Sequence, residues 1–184
     1  LGLANQGAKV ALISSGDSGI YGMAGLALEL WLKIEKDDRP KFYSHPGLSA
    51  IQIAASRIGA PLMNDFCVLS LSDLLTPWEI IEKRLIAALK GDFVIAIYNP
   101  KSSERNWQLK FALDLAMSIR SKKTPVVLAR QIGRENEHVR NFSLEDLPID
   151  EVDMLSLVII GNSQTIISNG YVITPRGYGS KSFN

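Results

Sequence analysis

The chain contains one cysteine, Cys67, and two histidines, His45 and His138, among 184 residues. A single cysteine excludes an internal disulfide and fits a reducing compartment such as the cytoplasm. With so few histidines, no HExxH and no paired cysteines, no metal site is expected, and there is no GxSxG elbow for a serine nucleophile. No apolar run is long enough to cross a bilayer, and no signal peptide is recognisable, so a soluble protein without a membrane partner is expected. The formal net charge is +1, which gives no overall pull toward nucleic acid. What is present is ordinary for a globular protein with a real core: 46% hydrophobic and 21% charged residues.

Short apolar runs alternate with helical stretches. KVALIS (9–14), KFYS (41–44), FCVLSLS (66–72), FVIAIYN (93–99), PVVLAR (125–130) and LSLVIIG (155–161) read as strands, several of them apolar enough to be covered on both faces. Residues 22–34, 48–59 and 76–89 read as helices, and a further helix starts near Ser103. In TPWE, Thr76 is the expected N-cap, with Glu79 completing a capping box; Ile80, Ile81, Leu85, Ala88 and Leu89 then form the apolar face. Trp107, Phe111, Leu115 and Ile119 stack at i, i+4 along the next helix. The alternation predicts α/β layers. The break is expected near residues 60–66, where APLMND interrupts the helical pattern, giving a domain of residues 1–60 and another of 61–184. LGLANQGAKVALI reads as a helix end, a stop at Gly7 and a strand, so the first domain reads as incomplete.

The polar segments fall at the expected strand ends. SSGDSGIYGMAG (14–25) carries a Gly-x-x-Gly-x-x-Gly spacing that matches neither the dinucleotide fingerprint nor a Walker loop. Asp17 in it would repel phosphate and suits a cationic or hydroxyl-rich ligand; a tight strand-to-helix turn with an Asp cap is the plain alternative. HPGLSAIQIAA (45–55), with Ser49 as N-cap, YNPKSSER (98–105) and GNSQT (161–165) are three more such joints. Ligands in open α/β sheets bind beyond the carboxyl ends of strands, and four polar joints together suggest one site there. Cys67 reads as core and His138 as surface.

Together, SSGDSGIYGMAG, HPGLSAIQIAA, LMNDFCVLSLSDLLTPWEIIEKRL, FVIAIYNPKSSERNWQL, VDMLSLVIIGNSQT and TPRGY resemble the tetrapyrrole (corrin/porphyrin) methylases, over about Lys9 to Tyr178. SLSDLLTPWE, YNP, GNSQT and TPRGY are most similar to the branch acting at C17 of precorrin-3B. Two departures are visible: the Gly-Pro-rich loop after the family's first strand has no counterpart, and Ser18 stands where proline is usual. The resemblance implies two α/β domains with S-adenosylmethionine in a cleft between them, in a cytoplasmic homodimer. It also implies methyl transfer to C17 of a metal-free or cobalt-containing precorrin, with ring contraction, in cobalamin synthesis. Carried over by position, the cofactor contacts are Ser15, Gly16, Asp17, Ile20, Tyr21, Ser49, Ala50, Asn99, Ile132, Ser156 and Leu157. Asp65, His45 and Asp73 are candidates for proton transfer, and Lys101, Arg105 and Arg176 for a basic rim that holds the substrate's carboxylates. The alternatives are methylation at another corrinoid carbon, a non-catalytic ligand-binding module, or a scaffold.

Overall fold

The structure, a computed structural model, describes residues 1–178. Two compact units are present, Leu1–Gln52 and the chain from Ile53 onward.

The first unit contains α1 (Gly2–Asn5) and α2 (Met23–Leu32). α1 stops at Gly7, as its sequence suggests. Gly7 has φ +88, and the Gly7 and Ala8 amides donate to the Ala4 and Leu3 carbonyls, closing a Schellman turn. At the end of α2, Arg39 donates to the carbonyls of Leu32 and Ile34 and stacks over Trp31, 5.0 Å from its ring centre. The expected strands 9–14 and 41–44 do not form: both segments are unpaired, and Val10, Leu12 and Ile13 are exposed. An apolar β-branched run makes a strand only when a neighbour pairs its N–H and C=O groups, and among the described residues none does so.

The second unit is built on a five-stranded sheet ordered β2-β3-β6-β4-β5, from β2 (Phe66–Ser70), β3 (Val94–Tyr98), β4 (Pro125–Arg130), β5 (His138–Ser143) and β6 (Ser156–Ile160). β2 and β3 are parallel, and β6 runs antiparallel to both β3 and β4. β2, β3 and β4 therefore point the same way, and β6 points back. The continuous apolar runs are buried on both faces, as expected. Ile95, Ile97, Val126, Leu128, Val158 and Ile160 face the main core, and the alternate residues Ala96, Val127, Ala129 and Ile159 are also buried.

α4 (Trp78–Lys90) packs on β2 and β3 and against α5 (Gln108–Ile119). Two details differ from the sequence reading. Pro77, not Thr76, occupies the N-cap of α4, without a side-chain cap bond, and Ile80 lies outside the buried face of Ile81, Leu85, Ala88 and Leu89. On α5 the buried residues are Gln108, Leu109, Ala112, Leu113 and Ala116. The bulkier stack is not the core face: Trp107 and Ile119 are exposed, and Phe111 is half-buried in an edge-to-face cluster with Trp78 and Trp107.

α3 (Ala50–Ile58) runs across the boundary between the units. A second, three-stranded sheet has the order β1 (Gly59–Ala60), β8 (Tyr171–Ile173), β7 (Ile166–Ser168). Its hairpin turns on Asn169-Gly170, both at positive φ, the geometry that an Asn-Gly two-residue turn provides.

Candidate functional site

In the first unit the candidate residues lie on two loops joined by one carboxylate. Asp17 Oδ1 accepts the Gly19 amide at 2.8 Å and Oδ2 accepts the Gly47 amide at 3.0 Å. These bonds hold the Asp17 carboxyl below its ordinary range, the Gly47 bond contributing most. The glycines serve this loop-on-loop packing. A Cβ on Gly47 would lie 2.3 Å from the Gly16 carbonyl oxygen, and one on Gly22 would lie 2.7 Å from that of Ser18. Gly16 itself has φ +68. The short spacing of the glycines thus follows from backbone meeting backbone, with Asp17 as the clasp. Ser15, Ile20 and Tyr21 are exposed on the first loop, Tyr21 in the left-handed region at φ 52. Ser49 is buried ahead of α3, where Gln52 Oε1 accepts both its amide and its hydroxyl, and Ala50 opens the helix. This is the returning half of a capping box. His45 is exposed on the second loop.

In the second unit the strand directions decide what meets. Because β2, β3 and β4 run together, Ser70, Asn99 and Gln131 share one edge of the sheet, with the start of β6 among them. Ser156 pairs with Arg130, and extending the β3–β6 register by two residues places Asn99 level with Ser156. Asn99, Ser156–Leu157 and the segment leading to Ile132 are therefore brought together, though Leu157 has its side chain in the core.

Asn99 and Gln131, each directly after a strand, have φ 49 and 51. Such left-handed backbone outside glycine costs free energy and persists where the surroundings enforce it. Asn99 Nδ2 donates to Ser70 Oγ at 2.9 Å, and its carbonyl accepts Arg105 Nε at 3.2 Å. The Gln131 amide donates to the Leu155 carbonyl at 2.9 Å. Beneath it Asp153 accepts Arg130, the Ser156 hydroxyl and the Leu155 amide. Burial alone would raise the Asp153 pKa, yet the Arg130, Ser156 and Leu155 bonds together leave it lowered. Sequence reading missed Ser70, Gln131, Arg130 and Asp153 because nothing in their local pattern reports a strand-end φ or a cross-strand bond.

An Asn99→Gly variant should keep near-normal stability because glycine accepts this φ. Asn99→Val should lose roughly 1–2 kcal/mol from backbone strain alone. Urea unfolding of the two would show it, and equal losses would mean that the side-chain bond, not the backbone, matters.

The remaining candidates separate. Asp73 follows β2 on this same edge, where its Oδ2 accepts Gln108 Nε2 at 2.8 Å. Asp65 precedes β2, so it lies at the opposite edge, away from Asn99. Lys101 donates to the Ile149 carbonyl at 3.1 Å, and Arg105 is bonded to Asn99 and to Met154 Sδ, so both cations brace the loop that follows β3. Arg176 does not join them: Thr174, two residues earlier, is bonded to Thr165 beyond the other end of the sheet. GNSQT lies there too, because β6 runs antiparallel, so of the four polar joints only YNPKSSER follows a strand at the Asn99 edge; the strands expected before the two joints of the first unit do not form. Cys67 is half-buried on β2, and burial pushes its thiol pKa up, which disfavours the nucleophilic thiolate. His138 is exposed at the start of β5.

The chain is a two-unit α/β protein with glycine-rich and strand-end polar loops, and comparison with known proteins gives its family. A sequence profile of the tetrapyrrole (corrin/porphyrin) methylases matches residues 2–148, and the chain belongs to that family. It is 52% identical over 176 residues to a probable cobalt-factor III C(17)-methyltransferase of Salmonella typhimurium, covering 96% of this chain and 72% of that one. It is 39% identical to a precorrin-3B C(17)-methyltransferase of Sinorhizobium, covering 97% of this chain and 73% of that one. The crystal structure of the methyltransferase CobJ superposes with a TM-score of 0.89 at 34% identity, over 95% of this chain and 73% of that one. A uroporphyrin-III C-methyltransferase of Thermus thermophilus, complexed with S-adenosylhomocysteine, shares the fold at a TM-score of 0.53 and 18% identity, over 79% of this chain and 62% of that one. Among the described residues no helix is long and apolar enough to cross a membrane.

Proposed function

We propose that this chain carries an S-adenosylmethionine-dependent C-methyltransferase activity directed at C17 of cobalt-factor III or precorrin-3B, with ring contraction, in cobalamin biosynthesis. The observation that carries it is the convergence of Asn99, Ser156 and the Gln131–Ile132 turn on one sheet edge, in a chain that shares about half its residues with a C17 enzyme. The higher identity to the cobalt-factor enzyme than to the precorrin-3B enzyme favours the cobalt-containing substrate.

S-adenosylmethionine, when bound, supplies a methyl group already activated by its sulfonium. The protein's part is to bind, orient and exclude water, and orientation of this kind is worth on the order of 7–11 kcal/mol of barrier. Ser15, Gly16, Asp17, Ile20, Tyr21, Ser49 and Ala50 form the cofactor loops of the first unit, with Asp17 setting their spacing. Asn99, Ile132, Ser156 and Leu157 form the contacts of the second, Leu157 through its backbone. Asp73, which follows β2 at the edge of Asn99 with its Oδ2 bonded to Gln108, is better placed than Asp65 at the opposite edge to move a proton during ring contraction. A cytoplasmic homodimer accompanies this reading, the lone cysteine supporting the compartment and family resemblance the dimer.

The test is transfer of labelled methyl from S-adenosylmethionine to cobalt-factor III and to precorrin-3B in separate reactions. Label at C17 of a ring-contracted product is expected. Label at another carbon would assign the chain to a different step, and cofactor binding without transfer would reduce it to a binding module.

A further inference from the structure

GNSQT has no role at the edge just described, and the structure places it beside a cavity at the other end of the sheet. Where β3 begins and β6 ends, a cavity of about 610 Å³ is lined by the end of α4, the end of α5 and the 162–165 turn. Lys90, Arg120 and Lys123 line it together with the hydroxyl residues Ser121, Thr124 and Ser163. Asp92 is the carboxylate among the lining residues, and both its oxygens are occupied: Oδ1 accepts the Ser163 amide at 3.0 Å and Oδ2 its hydroxyl at 2.5 Å.

Arg120 is the centre of this cavity. Its Nη1 donates to the Gly161 carbonyl and its Nη2 to the Phe93 carbonyl, so it spans the end of β6 and the start of β3. Its Nε is buried without a hydrogen-bond partner. Among the described residues no carboxylate lies within ion-pair distance of Arg120 or Lys90, while Lys123 is shared with Glu145 at 2.7 Å. Carbonyl oxygens satisfy guanidinium protons but do not neutralise the charge, and Asp92, whose oxygens are held by Ser163, acts on Arg120 only from beyond ion-pair distance, so the desolvation of the cation is incompletely compensated. Desolvation accordingly works against the Arg120 charge, only partly offset by nearby Asp92.

We propose that this cavity is a binding site for a small oxyanion, a phosphate- or carboxylate-bearing molecule held by Arg120 and Lys90 and oriented by the Ser121, Thr124 and Ser163 hydroxyls. Its volume falls in the range of small-ligand pockets and exceeds what one inorganic ion fills. It lies across the sheet from the cofactor edge, at the other ends of β3, β4 and β6, so its occupancy and methyl transfer can be assayed separately.

The full chain is titrated with inorganic phosphate at fixed ionic strength, and amide shifts and calorimetric heat are recorded. Saturable shifts confined to 89–92, 120–125 and 161–165 are expected, with K90Q weakening phosphate by about fivefold at an unchanged unfolding midpoint. R120K, which keeps the charge but loses the planar fork, should weaken it further. Displacement of phosphate by citrate would show that carboxylates share the site, and failure to displace it would restrict the site to phosphate groups. Shifts that fail to saturate, that chloride reproduces, or that are unaltered in both variants would overturn the proposal and leave an adventitious ion only. Because S-adenosylmethionine plays no part in this measurement, loss of this site would leave the methyltransferase reading intact, and the reverse.

Discussion

Asp17→Ala should weaken S-adenosylmethionine binding by about tenfold or more, the scale of a lost charge-assisted bond. The reason differs from a direct contact. The carboxylate accepts amides from Gly19 and Gly47, so its removal frees two loops that carry seven of the proposed contacts. Asp17→Asn, which retains one carbonyl acceptor, should fall between. Calorimetry on the three proteins decides: unchanged affinity in Asp17→Ala would mean that binding does not need the clasp. The pH dependence has a definite sign. Because the folded carboxyl is held below its ordinary value of 3.8, the clasp is complete above that value and is lost as pH falls through the depressed one. Binding should therefore owe no pH dependence to Asp17 between neutrality and pH 5.

Leu85→Ala should destabilise the second unit by about 2–5 kcal/mol, the usual result of opening a cavity in a packed core. Leu85 is fully buried on α4, in the cluster formed with α5 and the sheet. Ile80→Ala on the same helix should change stability by no more than about 0.5 kcal/mol, because that side chain is 42% exposed. Urea midpoints with unchanged slopes would show the contrast. Similar losses at the two positions would mean that the helix faces the sheet differently.

The sequence by itself determined the elements whose signal is local. PVVLAR is a strand over the same six residues in the structure, because a β-branched run buried on both faces has no other good conformation. Gly7 stops α1 and Gln52 returns to Ser49, since turns and caps are made by residues a few positions apart. The Asn169-Gly170 hairpin was equally legible and was passed over among the polar segments. The family, too, was carried by short motifs.

Tertiary structure decided whatever depended on partners distant in the chain. KVALIS has a strand's composition but no ladder, and a strand is a property of two segments. The direction of β6 is not written in LSLVII. Its antiparallel pairing with β3 and β4 moves GNSQT and Arg120 to one edge and leaves Asn99, Gln131 and Ser156 on the other. Likewise Asp65 and Asp73, eight residues apart, are separated by the length of β2. Local sequence sets backbone preference residue by residue, but strand order and direction follow from which apolar faces can be buried together, and those choices fix which side chains share a site.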